Sequence, residues 1–172
     1  MKLQRWRGVI LACVAVTLHA AEVTYVADAA QALPPETSRA LGMKLERYER
    51  SSGVRVLLRV LAKSPTVAED EIPGAYMKAL ATKLGTAERG ALLVYFADDP
   101  DWRLWIGDEL AGRFAGKSGT VAEPTANSAI HDVKEAMFTA AKEKGAKGPT
   151  PTERLTLETE ALLAALMARL KP

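Results

Sequence analysis

The stretch Asp98-Asp99-Pro100-Asp101 sets three carboxylates within four residues. Clustered carboxylates suit a hard cation such as Ca2+ or Mg2+, which takes oxygen ligands and keeps positions open for water or a phosphate oxygen. A cation held this way also activates a bound water as a nucleophile. The same residues also make an ordinary turn, because Asp and Pro favour turn geometry on their own account. Other titratable groups offer less. Asp108 and Glu109 follow a return strand of about six residues, which at ~3.3 Å per residue carries them some 20 Å from the turn; helix capping or solvation suits them. His131 and Asp132 are adjacent in a helical pattern, so the two side chains do not face each other. No serine stands in a nucleophile-elbow setting. Arg55 and Arg59 share one face of a strand and could attract an anion, but long cations usually lay their stems over apolar surface and keep their heads in water.

The acidic turn needs strands to hold it. Ala91 to Phe96 is an unbroken apolar run of strand length, and Trp102 to Ile106 alternates around Arg103 before ending at Gly107. The two read as a hairpin. A strand apolar on both faces must be covered on both. The covers are legible elsewhere. Leu33-Pro34-Pro35-Glu36 marks a helix start, with Leu41, Leu45 and Tyr48 on one stripe and Gly53 as C-cap. Val54 to Leu61 is a strand. Ile72, Tyr76, Leu80 and Leu84, with Met77 alongside, predict a helix over 70–84 ended by Gly85. Strand, helix and strand in that order imply a parallel pair joined by a right-handed crossover. Both parallel strands then end at one sheet edge, where open α/β sheets bind ligands. If the short strand Glu22–Val26 runs parallel to them, Asp28 arrives at that edge too. The candidate metal ligands are therefore Asp98, Asp99, Asp101 and Asp28. Trp102 and Trp105 fall on opposite faces of the return strand; core packing is the common role, and an exposed patch around Trp105 and Arg103 the alternative.

The C-terminal third reads as helical. Ile130, Val133, Met137, Ala140, Ala141 and Lys144 share one stripe, and Leu155, Leu162, Leu166 and Leu170, with Leu163 and Met167, form a last amphipathic helix. Gly145 to Pro151 reads as a linker between them. An isolated helix of this length is marginal in water, so the leucine stripe must be buried, by default against the domain itself.

The N-terminus begins Met-Lys-Leu-Gln-Arg-Trp-Arg, followed by an apolar, uncharged run from Gly8 to Leu18. This is a signal-peptide pattern, too short to span a membrane; an uncleaved anchor is the alternative. Cys13, the only cysteine, lies in that run. Removing residues 1–20 takes Lys2, Arg5 and Arg7 and no acid, so 23 Lys+Arg become 20 against 21 Asp+Glu, a net charge of −1. No basic patch argues for nucleic acid. No thiol remains for catalysis or for a cysteine-bound metal.

In this order the chain resembles the TPM domain family of bacterial envelope and thylakoid lumen proteins. The matching residues are Val26-Ala-Asp28 leading to Leu33-Pro-Pro-Glu, Gly53-Val-Arg-Val-Leu-Leu, Gly90-Ala-Leu-Leu-Val, Asp98-Asp99 and Arg103-Leu-Trp-Ile-Gly107, over roughly residues 22–115. Glu109 stands where the family usually has a second glycine, and the C-terminal third lacks the family's usual ending and is not placed by the resemblance. The resemblance implies an α/β sandwich, with divalent-cation binding and acid phosphatase activity known for some members. The expectation is therefore an α/β/α sandwich: a small mixed sheet with helices on both faces, one domain plus C-terminal helices. Residues 1–20 form the signal peptide, 21–115 the TPM-like domain, and 116–172 a helical segment with a linker near 145–151. The expected role is an exported, periplasmic or secreted module that binds an envelope protein or a divalent cation (Ca2+ or Mg2+), without nucleic acid and without a stable membrane span in the mature form. The alternative is a weak metal-dependent acid phosphatase. Protein recovered from the exported fraction should have an intact mass beginning at Ala21. A mass beginning at Ala30 would remove Asp28, and a lipid on Cys13 would overturn the targeting reading.

Overall fold

A computed structural model describes residues 23–116 and 124–172, with the backbone only at 124–128. The expected signal peptide, Cys13 and part of the Gly-rich stretch before Gly119 lie outside the described residues. The elements run β1 (Val26–Asp28), α1 (Pro35–Ser52), β2 (Arg55–Leu61), α2 (Ala75–Lys83), β3 (Gly90–Phe96), β4 (Asp101–Ile106), a 3-10 turn at Asp108–Leu110, α3 (Ala111–Phe114), α4 (Pro124–Gly145) and α5 (Pro151–Arg169). The sheet order is β1-β2-β3-β4, with β1, β2 and β3 parallel and β4 antiparallel to β3.

Strand alternation divides the core in two. Val54, Val56, Leu58 and Val60 face one side with Ala91, Leu93, Trp102, Leu104 and Ile106, under α1, α3, α4 and α5. Leu57, Leu92, Val94 and Phe96 face the other, under Met77 and Ala81 of α2. The sheet thus carries helices on both faces, as the apolar runs required. The chain steps from β1 to β2 to β3 in one direction, yet α1 and α2 cover opposite faces. The two crossovers must then have opposite hands, and the right-handed rule holds for only one of them.

Local chemistry explains the helix ends. Pro35 sits in the first turn of α1, and Gly53 closes it in the left-handed region at φ 70°, its N–H donating to Glu49 O at 2.8 Å. Helix α2 begins later than the 70–84 periodicity predicts. Pro73 cannot donate, Gly74 takes φ 86°, and Ile72 is left 72% exposed ahead of the helix. The buried residues of α2 are Met77 and Ala81.

The segment 145–151 is a tight helical hairpin turn and not a loose linker. A Cβ on Gly145 would lie 2.5 Å from the Glu158 side chain, and one on Gly148 would lie 2.7 Å from Arg154 N. Glycine is required here for close approach. Thr150 then starts α5 with a reciprocal cap: Glu153 N donates to Thr150 Oγ1 at 3.2 Å, and Thr150 N donates to Glu153 Oε2 at 3.0 Å. Helix α5 folds back, and Leu155, Leu162, Leu163, Leu166, Met167 and Leu170 join the larger core. Side chains fasten it further. Trp102 Nε1 donates to Glu158 Oε2 at 2.9 Å, and Tyr48 Oη donates to Met167 O at 3.1 Å. The C-terminal helices therefore share one core with the sheet. Leu162 is 1% exposed, so Leu162→Ala should cost about 2–5 kcal/mol, read as a lower midpoint in chemical denaturation. An unchanged midpoint would mean that α5 is not part of the core.

Candidate functional site

The carboxyl ends of β1, β2 and β3 meet at one sheet edge, and three connections lie there: the β1–α1 turn (29–34), the β2–α2 loop (62–74) and the β3–β4 turn (97–100). Asp101 is the first residue of β4, paired with Phe96, instead of a turn residue. Asp98, Asp99, Pro100 and Asp101 are all exposed.

Two of the four expected ligands already have work. The Asp28 carboxylate accepts from Leu33 N at 2.8 Å and from Ala32 N at 3.2 Å, closing the turn into α1. That turn includes Gln31 at φ 53°, a conformation that needs such support. Asp98 Oδ1 accepts from Ser64 N at 2.8 Å and from Ser64 Oγ at 3.0 Å, tying the β2–α2 loop to the hairpin turn. Desolvation, the largest single influence, pushes the Asp98 carboxyl up, but the hydrogen bonds from Ser64 and from the backbone N–H groups of Asp99 and Asp98 together outweigh it and hold the group below its ordinary range.

Position separates Asp28 from the rest. It ends β1, two strands from β3, about 10 Å at the usual ~4.8 Å strand spacing. It also follows Val26 on the face of the larger core, whereas Asp101 alternates with Trp102 and so faces the α2 side. Among the described residues no group of three or more His, Cys, Asp or Glu side chains is placed to hold a metal ion.

The α2 side of this edge is built around a pair that sequence reasoning missed. Arg103 Nη1 donates to Asp70 Oδ2 at 2.6 Å, and its guanidinium lies 5.2 Å from the centre of the Phe96 ring. Asp70 Oδ1 accepts from Tyr76 N at 3.3 Å, so one carboxylate joins the loop, the first turn of α2 and β4. Asp101 Oδ2 is 3.9 Å from Arg103 Nε. Glu69 accepts from Thr66 N at 2.8 Å, and this bond with the Thr66 hydroxyl lowers its pKa. The loop also carries two exposed aliphatic side chains, Val67 at 89% and Ile72 at 72%. The result is an acidic rim of Glu69, Asp70, Glu71, Asp98, Asp99 and Asp101 with two apolar side chains standing in it. The only sequence signal was the loop's own acidic run; its pairing with Arg103 spans 33 residues.

The remaining candidates lie elsewhere. Asp108 begins the 3-10 turn, and Glu109 pairs with Arg89 at 2.6 Å. His131 is exposed on α4. Trp105 is partly buried and donates Nε1 to Ala87 O at 3.1 Å, so packing prevails over an exposed patch. Arg55 pairs with Glu49 at 2.9 Å. Arg59 departs from the expected solvated head. It is 9% exposed, and its Nη1 donates to Leu58 O at 2.7 Å and Tyr25 O at 3.4 Å. Burial lowers its pKa.

No family model matches the sequence, and no curated protein matches it. Among solved structures, the chain is similar to the solution structure of the N-terminal domain of a P. gingivalis protein, with 22% identity and a TM-score of 0.51, over 86% of this chain and 85% of that one. The likeness bears on the fold, which is the α/β arrangement that the TPM resemblance implies. No helix among the described residues is long and apolar enough to cross a membrane.

If Asp98 is the tether of the β2–α2 loop, Asp98→Ala should speed hydrogen exchange at the Ser64 amide and leave the melting temperature unchanged. Continued protection of Ser64 would show that the loop is held by something else.

Proposed function

We propose that this chain is an exported envelope module of TPM type that works by contact instead of catalysis, using the carboxyl edge of its sheet. The observation that carries this reading is the acidic rim, in which hydrogen bonds and ion pairs hold two separate connections as one surface and leave Val67 and Ile72 exposed. Ordered backbone with exposed aliphatic side chains among carboxylates suits a partner segment with basic and apolar residues, because charge steers the encounter and apolar burial holds it. A divalent cation, Ca2+ or Mg2+, has its best place at Asp99 and Asp101, with Asp98 in support; Asp28 is left to its turn. The signal-peptide pattern of residues 1–20 and the motifs quoted for the TPM resemblance support export to the periplasm or beyond.

The alternative, a weak metal-dependent acid phosphatase acting on phosphomonoesters, rests on the same turn. It requires Asp98 to leave Ser64 or to serve a metal with its second oxygen, which makes it the costlier reading.

Calorimetric titration of the processed chain with Ca2+ and then Mg2+ separates these readings, run beside Asp98→Asn/Asp99→Asn and Val67→Asp/Ile72→Asp. The contact reading expects Val67→Asp/Ile72→Asp to lose in-cell cross-linking to an envelope protein with an unchanged melting temperature. Any cation binding should fall near the ~0.1–1 mM range of weak extracellular sites and disappear in the Asn double variant. Phosphomonoester hydrolysis that needs the cation and is lost in the Asn variant would replace the contact reading by the enzymatic one.

A further inference from the structure

The outer edge of β1 carries information that the acidic rim does not use. Tyr25 O accepts from Leu58 N at 2.8 Å and Ala29 N donates to Val60 O at 2.9 Å, so the backbone groups of 25, 27 and 29 point into the sheet. By alternation those of Val26 and Asp28 point away from it. Among the described residues no strand pairs with that side. Beside it lies an open groove of about 460 Å3, bounded by Val26 of β1, by Val23 and Tyr25 in the segment leading into it, and by Ser38, Arg39, Gly42 and Glu46 on α1.

Gly42 is the second observation. It sits in the middle of an 18-residue helix, where glycine is the poorest helix former after proline. An added Cβ there would have no heavy atom within 4 Å. Nothing within the described chain explains the absence of a side chain; close approach from outside would. Met43, next to it on the same helix surface as Arg39 and Glu46, is 52% exposed.

The charges identify the occupant. Arg39 and Glu46 lie seven residues apart, nearly symmetric about Gly42. A two-fold axis near Gly42 turns a second α1 antiparallel to the first and sets Arg39 of each copy against Glu46 of the other. The same axis can place Val26 opposite its own symmetry mate, where two residues of antiparallel strands exchange both backbone hydrogen bonds. Such a contact is isologous: one surface complements itself and closes after two copies. Glu46 also pairs with Arg50 within the chain, an exposed pair that contributes little and does not prevent a second partner.

We infer that a second copy of this chain fills the groove, pairing β1 with β1 into a continuous eight-stranded sheet and packing α1 against α1 across Gly42. The inference does not depend on the acidic rim, which lies at the carboxyl edge of the sheet.

The test is sedimentation equilibrium of the chain as processed by the cell, from micromolar to several hundred micromolar, with three variants. Wild type should run at twice the chain mass at the upper concentrations. Gly42→Gln should keep or raise the melting temperature, since it replaces glycine in a helix, and should weaken association about tenfold or more by blocking helix contact. Glu46→Arg should weaken association by setting like charges together, and Arg39→Glu/Glu46→Arg should restore it to within about twofold. The charge-swap pair keeps the test decisive even if the Gly42 variant folds poorly. A wild type that stays monomeric throughout overturns the inference and leaves the groove to an extended segment of another protein. A dimer indifferent to Gly42→Gln and to the charge reversal overturns the proposed interface.

Discussion

The structure depends on β3 having no face fit for water. Ala91, Leu93 and Tyr95 look one way and Leu92, Val94 and Phe96 the other, and all but Tyr95 are buried. A parallel strand of this kind exists only between two covers. The cover on one side is α2, a helix of 9 residues. The other side is wider and deeper, and α1 alone cannot close it. Helices α3, α4 and α5 complete it, and for that reason the C-terminal leucines are part of the domain and not an appendage. The opposite hands of the two crossovers follow from the same need. Once the chain has stepped from β1 to β2 beneath α1, only a helix on the other face can cover Leu92, Val94 and Phe96. Burial of about 25 cal/mol for each Å2 of apolar surface outweighs a connection of uncommon hand.

Much of this was legible because burial repeats at the period of the element. The β3–β4 hairpin, the caps of α1 and the leucine stripe of α5 all show in residue type and spacing. The failures have equally physical causes. The four-residue repeat from Ile72 to Leu84 passes through Pro73 and Gly74, and periodicity does not register a missing donor or a left-handed φ. Gly145 and Gly148 look alike whether they loosen a chain or let two helices touch; only the atoms of Glu158 and Arg154 distinguish the cases. The four aspartates carry a further ambiguity. A carboxylate that will bind a metal and one that will cap a turn are the same residue, and the backbone N–H groups that claim Asp28 and Asp98 appear only after folding.

The acidic rim shows how such claims can build a surface. Asp98 and Asp70 each join pieces of chain more than 30 residues apart, to Ser64 and to Arg103. Asp70 can do so at low cost because Arg103 offers several donors in a fixed plane and sets its guanidinium carbon over the Phe96 ring. The exposed ends of the rim, Asp99 and Asp101, are then presented by backbone that is already ordered. Ordering of that kind lowers the entropy lost when a partner arrives. The contact role proposed for this edge rests on the same fastening, because Asp98 and Asp70 share their hydrogen bonds among several donors and hold the frame.

Strand β1 is the last piece of the frame, and its stability needs a separate account. Three residues of parallel ladder give few hydrogen bonds. Arg59 makes up the difference by lying across the β1–β2 seam, with Nη1 reaching the carbonyls of Leu58 and Tyr25 on its two sides. Among the described residues no carboxylate pairs with it, and desolvation opposes its charge. A leucine at this position would avoid that desolvation and would also lose the bridge. Two backbone carbonyls that would otherwise rely on the ladder alone share a charged donor, which is stronger than a neutral one. Asp28 fastens the far end of the strand through Ala32 and Leu33. A short edge strand held just before its start and at its end keeps its outer N–H and C=O groups in line. An edge left to fray would present no such row, so the fastening that spends a buried charge on β1 is what makes its free side a surface that another strand can read.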